Sequence, residues 1–390
     1  MMFAIKIIIL ITLVSYVGFL LFGAIGFIKT KEFVLEQDFI NKTNTCIIIC
    51  ARNEENNIEA CLNSIYLQNF DKELLEIILV NDASEDSTLS KATNSLSSQN
   101  FRFQIINNIQ KEGKKNSITK AINATEAELI ITRDADTFTD DANWLKTLVS
   151  FYEQTQSQFI IAPIEIDGST ASASSGQAGS PSVLTQLQIF ENNALAIVTG
   201  GFAFYKKAFL CNGANLAFTK NLFEKTNGYK SHEKIISGDD VLFLEEAKKI
   251  NSQNISYLKT KIASVITYPQ KTFTNLLQQK VRWASKFNAN PNQTNALLGL
   301  IVFLTHFFTL FFLLKAAFTL YLPLFGLFFI LSRFLIDFLL LFLASGYFKR
   351  PVQWLWFLPL SLLYSVYVLI ITILSIIFPD FRQAGKPNWK

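Results

Sequence analysis

Histidine and cysteine are scarce in this sequence. The chain contains two histidines, His232 and His306, and four cysteines among its 390 residues. Two histidines exclude a histidine-rich metal site, so any bound metal must rest mainly on carboxylates. Cys46 and Cys50 lie in the strand-like run CIIIC, where they would be roughly 13 Å apart and could not form a disulfide. We therefore expect reduced core thiols in a domain that faces the cytosol.

Net charge is small as well. The formal net charge of +4 is too low to indicate nucleic acid as a partner, and a modest positive charge fits contact with anionic lipid.

Hydrophobic residues are abundant in this chain. They make up half of the sequence, and many of the 37 Phe residues lie after residue 295. This uneven distribution indicates a soluble region followed by a membrane-embedded one.

Long apolar runs predict helices that cross a lipid bilayer. The first run, at 7–28, contains no charged residue; it is long enough to span a bilayer and lacks the cleavage site of a signal peptide. Lys29 and Lys31 directly follow this run and favour a cytoplasmic location for the residues after them. Further spans are predicted near 296–320, 322–345 and 354–378.

The later spans carry conflicting signals of orientation. Lys349 and Arg350 favour a cytoplasmic loop before the last span, whereas the basic tail at 381–390 would then lie outside, so the topology of this part stays open. Arg333 and Asp337 are four residues apart inside the third span, where they can pair on one helix face. They form either a structural pair or part of an ion or substrate path.

Residues 44–290 have the pattern of one soluble domain. Short apolar segments alternate with helical patterns, which predicts an α/β domain with a mostly parallel sheet and crossover helices. The Gly/Ser/Ala-rich segment at 167–182 is interpreted as a mobile loop of this domain rather than a linker. The predicted organisation is an N-terminal transmembrane helix at 1–30, the domain at 44–290 ending in an interfacial amphipathic helix, a C-terminal transmembrane region of about three spans at 296–380, and a basic tail at 381–390.

Two aspartates end the apolar run ITRDADTF at 130–137. In a parallel sheet, ligands bind at the carboxyl ends of strands, where Asp82, Asp134 and Asp136 are predicted to lie. If the chain turns at Ala135, the carboxylates of Asp134 and Asp136 can reach one divalent cation, and oxygen ligands suit Mg²⁺ or Mn²⁺. Taken alone, the pair is also explained by a solvated strand end.

Further polar motifs each have a structural and a functional interpretation. The turn RNEE can be an acidic helix start, and Lys114 in EGKK can be a solvated lysine or part of an anion site. Asp239 and Asp240 can be charges at a helix N-terminus, or one of them can be a general base. The motif Q-x-x-R-W just before the membrane places Gln279 and Arg282 on one helix face, and it can be an interfacial anchor.

In their order along the chain, these motifs resemble those of the membrane-embedded inverting glycosyltransferases of family 2. This group includes cellulose, hyaluronan, chitin and poly-N-acetylglucosamine synthases and ceramide glucosyltransferases. The resemblance covers residues 44–290 together with the flanking apolar helices, and it implies a GT-A-type fold. The motifs that carry it are R-N-E-E, N-D-A-S-E-D, G-K, D-A-D, C-N-G-A-N, G-D-D and Q-x-x-R-W.

The resemblance also implies a role for each motif. The metal would be held by Asp134 and Asp136, and the general base would be Asp240, with Asp239 as the alternative because the motif reads G-D-D rather than T-E-D. Asn81 stands where many relatives have Asp, so the contacts to the nucleotide base can differ there. The donor-binding residues implied are Asn53, Glu54, Glu55, Asp82, Lys114, Asp134 and Asp136, and those for the acceptor and diphosphate are Asn212, Gly213, Gln279, Arg282 and Trp283.

The activity implied is the transfer of a sugar, with inversion, from a nucleotide-sugar donor (a UDP-sugar first) to a lipid or glycan acceptor. A Mg²⁺ or Mn²⁺ ion would neutralise the departing diphosphate. Three alternatives stay open: a ceramide-type enzyme that adds one sugar to a lipid, a nucleotidyltransferase on a membrane tether, and a catalytically silent membrane scaffold or transport subunit. We expect an integral protein of a bacterial inner membrane whose catalytic domain lies in the cytoplasm.

Overall fold

The computed structural model divides the chain into two compact units. The described residues of one unit lie within 1–27, 168–201 and 269–386, and those of the other lie within 28–167 and 202–268. The predicted basic tail at 381–390 and most of the segment at 167–182 lie outside the described residues, and the predicted domain division stays a prediction. The structure describes residues 2–36, 38–99, 101–169, 181–230, 239–289, 293–349 and 354–377.

Helices and strands alternate through the first two thirds of the chain, and the last third is helical. The helices are α1 (Met2–Lys29), α2 (Ile58–Tyr66), α3 (Thr88–Ser97), α4 (Lys114–Asn123), α5 (Trp144–Thr155), α6 (Val183–Phe204), α7 (Lys220–Lys225), α8 (Asp239–Asn251), α9 (Phe273–Ala289), α10 (Gln293–Thr319), α11 (Leu324–Phe348) and α12 (Phe357–Ile377). The strands are β1 (Thr45–Ala51), β2 (Leu75–Asn81), β3 (Arg102–Asn107), β4 (Leu129–Asp134), β5 (Thr137–Phe138), β6 (Phe159–Ile161), β7 (Ile164–Ile166), β8 (Leu216–Thr219), β9 (Ile255–Tyr257) and β10 (Val265–Thr267).

The unit built on residues 28–167 and 202–268 contains a seven-stranded sheet in the order β3–β2–β1–β4–β8–β6–β9 and a three-stranded sheet in the order β5–β10–β7. Strands β3, β2, β1 and β4 run parallel, and β8 is antiparallel to both of its neighbours. Helices α2, α3 and α4 lie between successive parallel strands in the chain, as crossover connections require. The predicted mostly parallel sheet is therefore confirmed.

The register of the parallel strands brings their carboxyl ends to one edge of the sheet. Asn81 of β2 pairs with Ala51 of β1 and with Asn107 of β3, and Asp134 of β4 pairs with Cys50 of β1. The polar residues that follow these four strands are consequently neighbours in space, although they are far apart in the sequence.

The core of this unit follows from the spacing of apolar residues. The buried side chains of α2 are Ile58, Cys61, Leu62 and Ile65, which form one stripe because they are three and four positions apart. They belong to the same buried cluster as Ile47 of β1. Each fully buried side chain of this kind stabilises the fold by about 1.5–3 kcal/mol.

In its described part, the other unit contains four helices that are long and apolar enough to cross a membrane. These segments are Phe3–Lys29, Ala296–Thr319, Leu324–Phe348 and Phe357–Ile377. They coincide with the four apolar runs from which the sequence predicts membrane spans.

A buried polar cluster joins these four helices. Asp337 of α11 pairs with Arg333 one turn earlier at 2.9 Å and accepts a hydrogen bond from the hydroxyl of Tyr16 of α1 at 2.9 Å. Arg333 also donates to the backbone oxygen of Ser361 of α12, and its Nη2 lies 3.4 Å from Nδ1 of His306 of α10. Because every helix of the set contributes, the Arg333–Asp337 pair links all four of them, which favours the structural interpretation of this pair.

Candidate functional site

Two turns, one after β1 and one after β2, are held together by reciprocal hydrogen bonds. Asn53, whose φ of 55° lies in the left-handed region, donates from its backbone nitrogen to Ser84 Oγ at 3.1 Å and accepts from the backbone nitrogen of Glu85 at 2.9 Å. The carboxylate of Glu55 accepts from the backbone nitrogen of Ser87 at 3.1 Å. These residues of the R-N-E-E motif therefore fix the shape of both turns.

Glu54 is buried beneath the same turns, with 6% of its surface exposed. Its backbone nitrogen donates to Thr88 Oγ1 at 2.7 Å, and its carboxylate accepts from the Asn57 side chain at 2.7 Å. Asp86 completes the connection by accepting from the backbone nitrogens of Glu55 and Thr88. Burial alone would raise the pKa of Asp86, but these hydrogen bonds outweigh it and lower the pKa. The carboxylate is therefore ionised at neutral pH.

Asp82, the residue directly after β2, is fully buried. Its Oδ1 accepts from Asn108 Nδ2 and from the backbone nitrogen of Glu112, both at 2.8 Å, and its Oδ2 accepts from the backbone nitrogen of Gly113 at 3.2 Å. Gly113 has a φ of 94°, which glycine adopts without the steric cost other residues would incur. The Asp82 carboxylate thus holds the loop that leads into α4.

A cavity of about 670 Å³ opens between the loops that follow β2 and β3. At its edge, Asn81 Nδ2 donates to Asn107 Oδ1 at 2.6 Å, whereas the buried Oδ1 of Asn81 has no hydrogen-bond partner in the described part of the chain. The cavity therefore offers cationic and apolar surface, and the buried Asn81 lies at its edge. Residues that line it include Arg52, Asn81, Leu89, Asn107, Ile109 and Lys111.

The D-A-D motif forms a tight turn between β4 and β5. Asp134 ends β4, the turn comprises Ala135 and Asp136, and β5 starts at Thr137. Thr137 Oγ1 donates to the backbone oxygen of Asp134 at 2.7 Å, which closes the turn. Lys114, at the start of α4, places its Nζ 2.6 Å from Asp134 Oδ1. The structure thus brings Lys114 to one of the two predicted metal ligands.

The D-A-D turn fits a divalent cation that is coordinated partly by the protein and partly by a substrate. Asp134 and Asp136 are both partly exposed, and Asp134 already has the ammonium of Lys114 beside it, so the site attracts positive charge. Among the described residues, no three His, Cys, Asp or Glu side chains are grouped as a metal site. Two carboxylates with remaining positions for water and phosphate are the ligand set that Mg²⁺ and Mn²⁺ commonly use.

A buried arginine supports this turn from below. The guanidinium of Arg133 donates to Ser64 Oγ at 2.9 Å and to Thr137 Oγ1 at 3.3 Å, and it lies 4.7 Å from the ring centroid of Trp144. Burial lowers the pKa of Arg133. Nearby, burial raises the pKa of the Cys61 thiol to about 11, and the carboxylates of Asp136 and then Asp134 add to this increase. The hydrogen bonds of the buried Arg133 therefore hold this turn in place.

Asp240 is linked to the D-A-D strand through one short turn. Its Oδ2 accepts from the backbone nitrogen of Gly213 at 3.1 Å, and its Oδ1 accepts from the backbone nitrogen of Val241 at 2.8 Å. The backbone oxygen of the same Gly213 accepts from Thr132 Oγ1 at 2.8 Å, and Thr132 precedes Asp134 by two residues in β4. Gly213 thus connects the predicted base with the strand that carries the predicted metal ligands.

Two asparagines of this region make hydrogen bonds that shape its turns. Asn212 caps the turn at Gly213–Asn215, because its Oδ1 accepts from the backbone nitrogen of Ala214 at 3.0 Å. Asn215 is fully buried and donates to the backbone oxygens of Pro163 and Ala263. Asp239 is the first residue of α8, and its side chain lies outside the described residues.

The Q-x-x-R-W residues lie on α9, which belongs to the helical unit. Gln279, Arg282 and Trp283 are each partly buried. Lys280, between them, places its Nζ 4.2 Å from the ring centroid of Trp283. The role predicted for these three residues toward a diphosphate or an acceptor stays a prediction.

Several residues at the sheet edge carry contacts that the motifs do not indicate. Asn108 bonds Asp82, Thr132 bonds Gly213, and Arg52 donates to the backbone oxygen of Asp82 at 3.0 Å. Only the position of Arg52 inside R-N-E-E offers a sequence signal. Asn108 and Thr132 resemble ordinary residues of a strand or a strand end.

Comparison with known proteins finds similarity in this region. Residues 46–212 match the family Glycosyl transferase family 2. This match falls on the region whose motif order resembles the same family. A curated relative from Haemophilus influenzae, named as an uncharacterized glycosyltransferase, is 32% identical over 108 residues. That alignment covers 28% of this chain and 32% of the relative, so the chain spans about a third of the relative's length.

A solved structure shares the fold over most of the chain. The mannosyltransferase PcManGT from Pyrobaculum calidifontis, in complex with GDP-Man and Mn²⁺, superposes with a TM-score of 0.59 and 14% sequence identity. The superposition covers 95% of this chain and 99% of PcManGT. At this identity the likeness concerns the fold, and it confirms the predicted GT-A-type α/β architecture with a mostly parallel sheet.

Proposed function

We propose that this protein is a membrane-bound glycosyltransferase that transfers a sugar from a nucleotide-sugar donor to a lipid or glycan acceptor with inversion. The observation that carries the proposal is the shared edge of the sheet. There, Lys114 pairs with Asp134 of the D-A-D turn, and Gly213 connects Asp240 to the same strand. A diphosphate site and an acid–base group on one rigid edge are what a direct displacement requires.

The donor nucleotide is proposed to bind at the cavity between the loops after β2 and β3. Arg52 and Lys111 supply positive charge there, and Leu89 and Ile109 supply apolar surface. Asp82 was expected to contact the nucleotide directly. That contact stays a prediction. The buried carboxylate accepts hydrogen bonds from the loop after β3, so we propose that Asp82 also shapes the nucleotide site through this loop.

The identity of the nucleotide is a separate part of the proposal. The resemblance to the family implies a UDP-sugar, whereas the solved mannosyltransferase that shares the fold binds GDP-Man. Both nucleotides therefore belong in any test of the donor.

Asp134 and Asp136 are proposed to hold Mg²⁺ or Mn²⁺ together with the diphosphate of the donor. When bound, such an ion supplies positive charge that stabilises the departing diphosphate. Once the donor binds, the ammonium group of Lys114 can move from Asp134 to a phosphate oxygen, because it stands at the end of a flexible side chain. The D-A-D turn keeps its shape through Thr137 and the buried Arg133.

Asp240 is proposed as the general base. Two backbone N–H groups, from Gly213 and Val241, orient its carboxylate. As the acceptor hydroxyl forms a bond to the anomeric carbon, its proton passes to Asp240, and the bond between that carbon and the diphosphate oxygen breaks. Attack from the face opposite the diphosphate inverts the anomeric centre, so no covalent enzyme intermediate is needed.

The acceptor divides the proposal into two enzyme types. A synthase of the cellulose or hyaluronan type would extend a glycan, whereas a ceramide-type enzyme would add one sugar to a lipid. A catalytically silent scaffold is the non-enzymatic alternative. The four candidate membrane spans are compatible with all three.

The decisive test uses membranes that contain the full chain, incubated with Mg²⁺ or Mn²⁺ and a panel of labelled UDP- and GDP-sugars. We expect transfer from one of them, and a loss of about 100-fold or more in kcat for Asp240→Asn. The exposed Asp140 provides the matched control, and Asp140→Asn should retain activity. A ladder of products indicates a synthase, and one lipid-soluble product indicates a lipid transferase. Unchanged transfer by Asp240→Asn would contradict the assignment of the base, and no transfer from any donor would support the scaffold.

A further inference from the structure

Helix α6 contacts the segment that carries Q-x-x-R-W at two points, and both contacts lie within the helical unit. The first contact involves Gln188, which is 6% exposed. Its Nε2 donates to the backbone oxygen of Gln270 at 3.1 Å, and its Oε1 accepts from the backbone nitrogen of Gln270 at 2.7 Å. The side chain amide thereby satisfies both backbone groups of a residue three positions before α9, which ties the segment leading into this helix to α6.

The second contact is an ion pair one turn further along α6. Glu191 Oε2 lies 2.5 Å from Lys280 Nζ, and the two side chains are only 12% and 11% exposed. Such a pair differs from a surface ion pair, which water and salt weaken. Because removal of one partner leaves the other charge buried and unpaired, this contact strongly favours one arrangement of α6 and α9.

Lys280 extends this contact to the tryptophan of the motif. Its Nζ lies 4.2 Å from the ring centroid of Trp283, and residues three positions apart face the same side of a helix. The cation therefore touches the carboxylate of Glu191 and the aromatic face of Trp283 at once. A cation over an indole ring limits the orientations that the ring can adopt.

Apolar contacts alone would not give this precision. Leu187 and Phe190 of α6 belong to the same buried cluster as Leu276 of α9. Burial of apolar surface holds two helices together but is not directional. The hydrogen bonds and the ion pair select one axial position and one rotation of α9 among the arrangements that apolar packing would allow.

We propose that Gln188, Glu191 and Lys280 are positioning residues for Trp283 and the Q-x-x-R-W segment. In this arrangement, α6 is the reference element, and Lys280 is the connection between its carboxylate and the indole. The inference rests on the proposed function, which gives the Q-x-x-R-W segment a part in sugar transfer.

The first experiment measures the position of Trp283 without any enzymatic assay. The full chain is labelled with 5-fluorotryptophan and studied in detergent micelles by ¹⁹F NMR, and Trp283→Phe assigns the Trp283 resonance. We expect Glu191→Gln and Lys280→Gln each to shift or broaden this resonance while the signal of the buried Trp144 stays unchanged. The matched controls are Glu59→Gln and Lys249→Gln, which remove one partner of two more exposed ion pairs and should leave the Trp283 resonance as it is.

The second experiment separates kcat from KM with the donor identified by the sugar panel. A displaced Trp283 should lower kcat by about tenfold, since misplacement of a group by an ångström has effects of this size or larger. The KM for the donor should change less than about threefold, because none of the three residues lines the nucleotide cavity. The kcat of the double variant Glu191→Gln/Lys280→Gln should be no lower than that of the less active single variant, because the two residues form one connection.

The outcomes distinguish this inference from the proposed function. An unchanged Trp283 resonance in both single variants overturns the positioning role, whatever the activity. Additive losses of kcat in the double variant would also contradict it. If the wild-type chain transfers no sugar from any donor while the resonance shifts as expected, the proposed function fails and the contact between α6, Lys280 and Trp283 stands.

Discussion

Lys114 Nζ lies 2.6 Å from Oδ1 of Asp134, the carboxylate that the sequence predicts as a metal ligand. The ammonium therefore stands beside a ligand that a divalent cation would use. Both side chains are partly exposed, 23% for the lysine and 34% for the aspartate, so the pair can open at little cost. Under the proposed function, this relationship predicts that Lys114 and the metal compete for Asp134 until the diphosphate binds Lys114.

Replacement of Lys114 by Met should separate the two roles. Without a nucleotide, Mn²⁺ should bind about fivefold tighter, because a partly exposed ion pair is worth up to about 1 kcal/mol and no longer has to be broken. Sugar transfer should nevertheless fall by about tenfold or more, because a cation beside the diphosphate is lost. Calorimetric titration with Mn²⁺ and an activity assay measure the two effects, with Lys249→Met as control. Weaker Mn²⁺ binding by Lys114→Met would refute the competition.

Thr132→Val should weaken the connection between β4 and Asp240. Valine keeps the shape of the side chain but cannot donate to the backbone oxygen of Gly213, which is buried. We expect a loss of about 1–3 kcal/mol in the free energy of unfolding, together with a lower kcat. Thr93→Val removes a hydrogen bond of the same type from an exposed position on α3 and should change the stability by less than about 0.5 kcal/mol. An equal loss of stability in the two variants would show that the hydrogen bond from Thr132 to Gly213 does not stabilise the protein.

Gly201→Ala should disturb the contact between α6 and α1. A methyl group at this position would lie 1.7 Å from the backbone oxygen of Gly23, and no side chain rotation can relieve a clash with backbone. We expect a lower melting temperature in detergent and reduced yield from membranes. Gly18→Ala is the control, because a methyl group there would meet no atom within 4 Å. A normal melting temperature for Gly201→Ala would argue against this close approach of the two helices.

Arg333→Leu should destabilise the helical unit by about 3–5 kcal/mol, since it leaves a buried carboxylate without its cation. The affected carboxylate is that of Asp337, which is 7% exposed. The double variant Arg333→Leu/Asp337→Leu should recover most of this loss, because it removes both charges together. Thermal unfolding in detergent measures both effects. If the double variant were as unstable as the single one, the pair would have a role beyond charge compensation.

Cys61 should resist alkylation in the folded protein at pH 8. Burial raises the pKa of this thiol to about 11 from an ordinary value of 9.0, so the reactive thiolate is absent at that pH. Between about pH 9 and 11 the unfolded chain releases this proton and the folded chain keeps it, so stability falls as pH rises through this window. Mass spectrometry after iodoacetamide treatment should find Cys50 and Cys211, which are partly exposed, modified before Cys61. Early modification of Cys61 would contradict its burial under the D-A-D turn.

Much of the architecture could be predicted because it depends on local sequence patterns. The period of apolar residues indicates helix or strand, and parallel strands bring Asp82 and Asp134 to one edge. The contacts that organise this edge are not local. Thr132 and Gly213 are 81 residues apart, and no pattern around either one indicates the other.

The same limit applies to the surroundings of Asp82. A strand-end aspartate is compatible with a ligand contact and with a buried structural role, and the sequence does not reveal the hydrogen bonds that the Asn108–Gly113 loop donates to Asp82. The sequence does not predict the buried contact of Glu191, because a single glutamate in a helical pattern indicates a solvated residue. Its burial against Lys280 depends on how two helices pack, which sequence periodicity does not encode.

The hydrogen bond from Tyr16 to Asp337 also bears on how the protein is made. Its two residues are 321 positions apart in the chain. At about 5–20 residues per second, a ribosome needs roughly 16–64 s to add the residues between them. During that interval α1 has neither this bond nor the helices that later surround Tyr16. A foreign signal anchor fused in place of α1 could target the chain to a membrane, yet it would leave Asp337 without the hydroxyl that completes its hydrogen bonding.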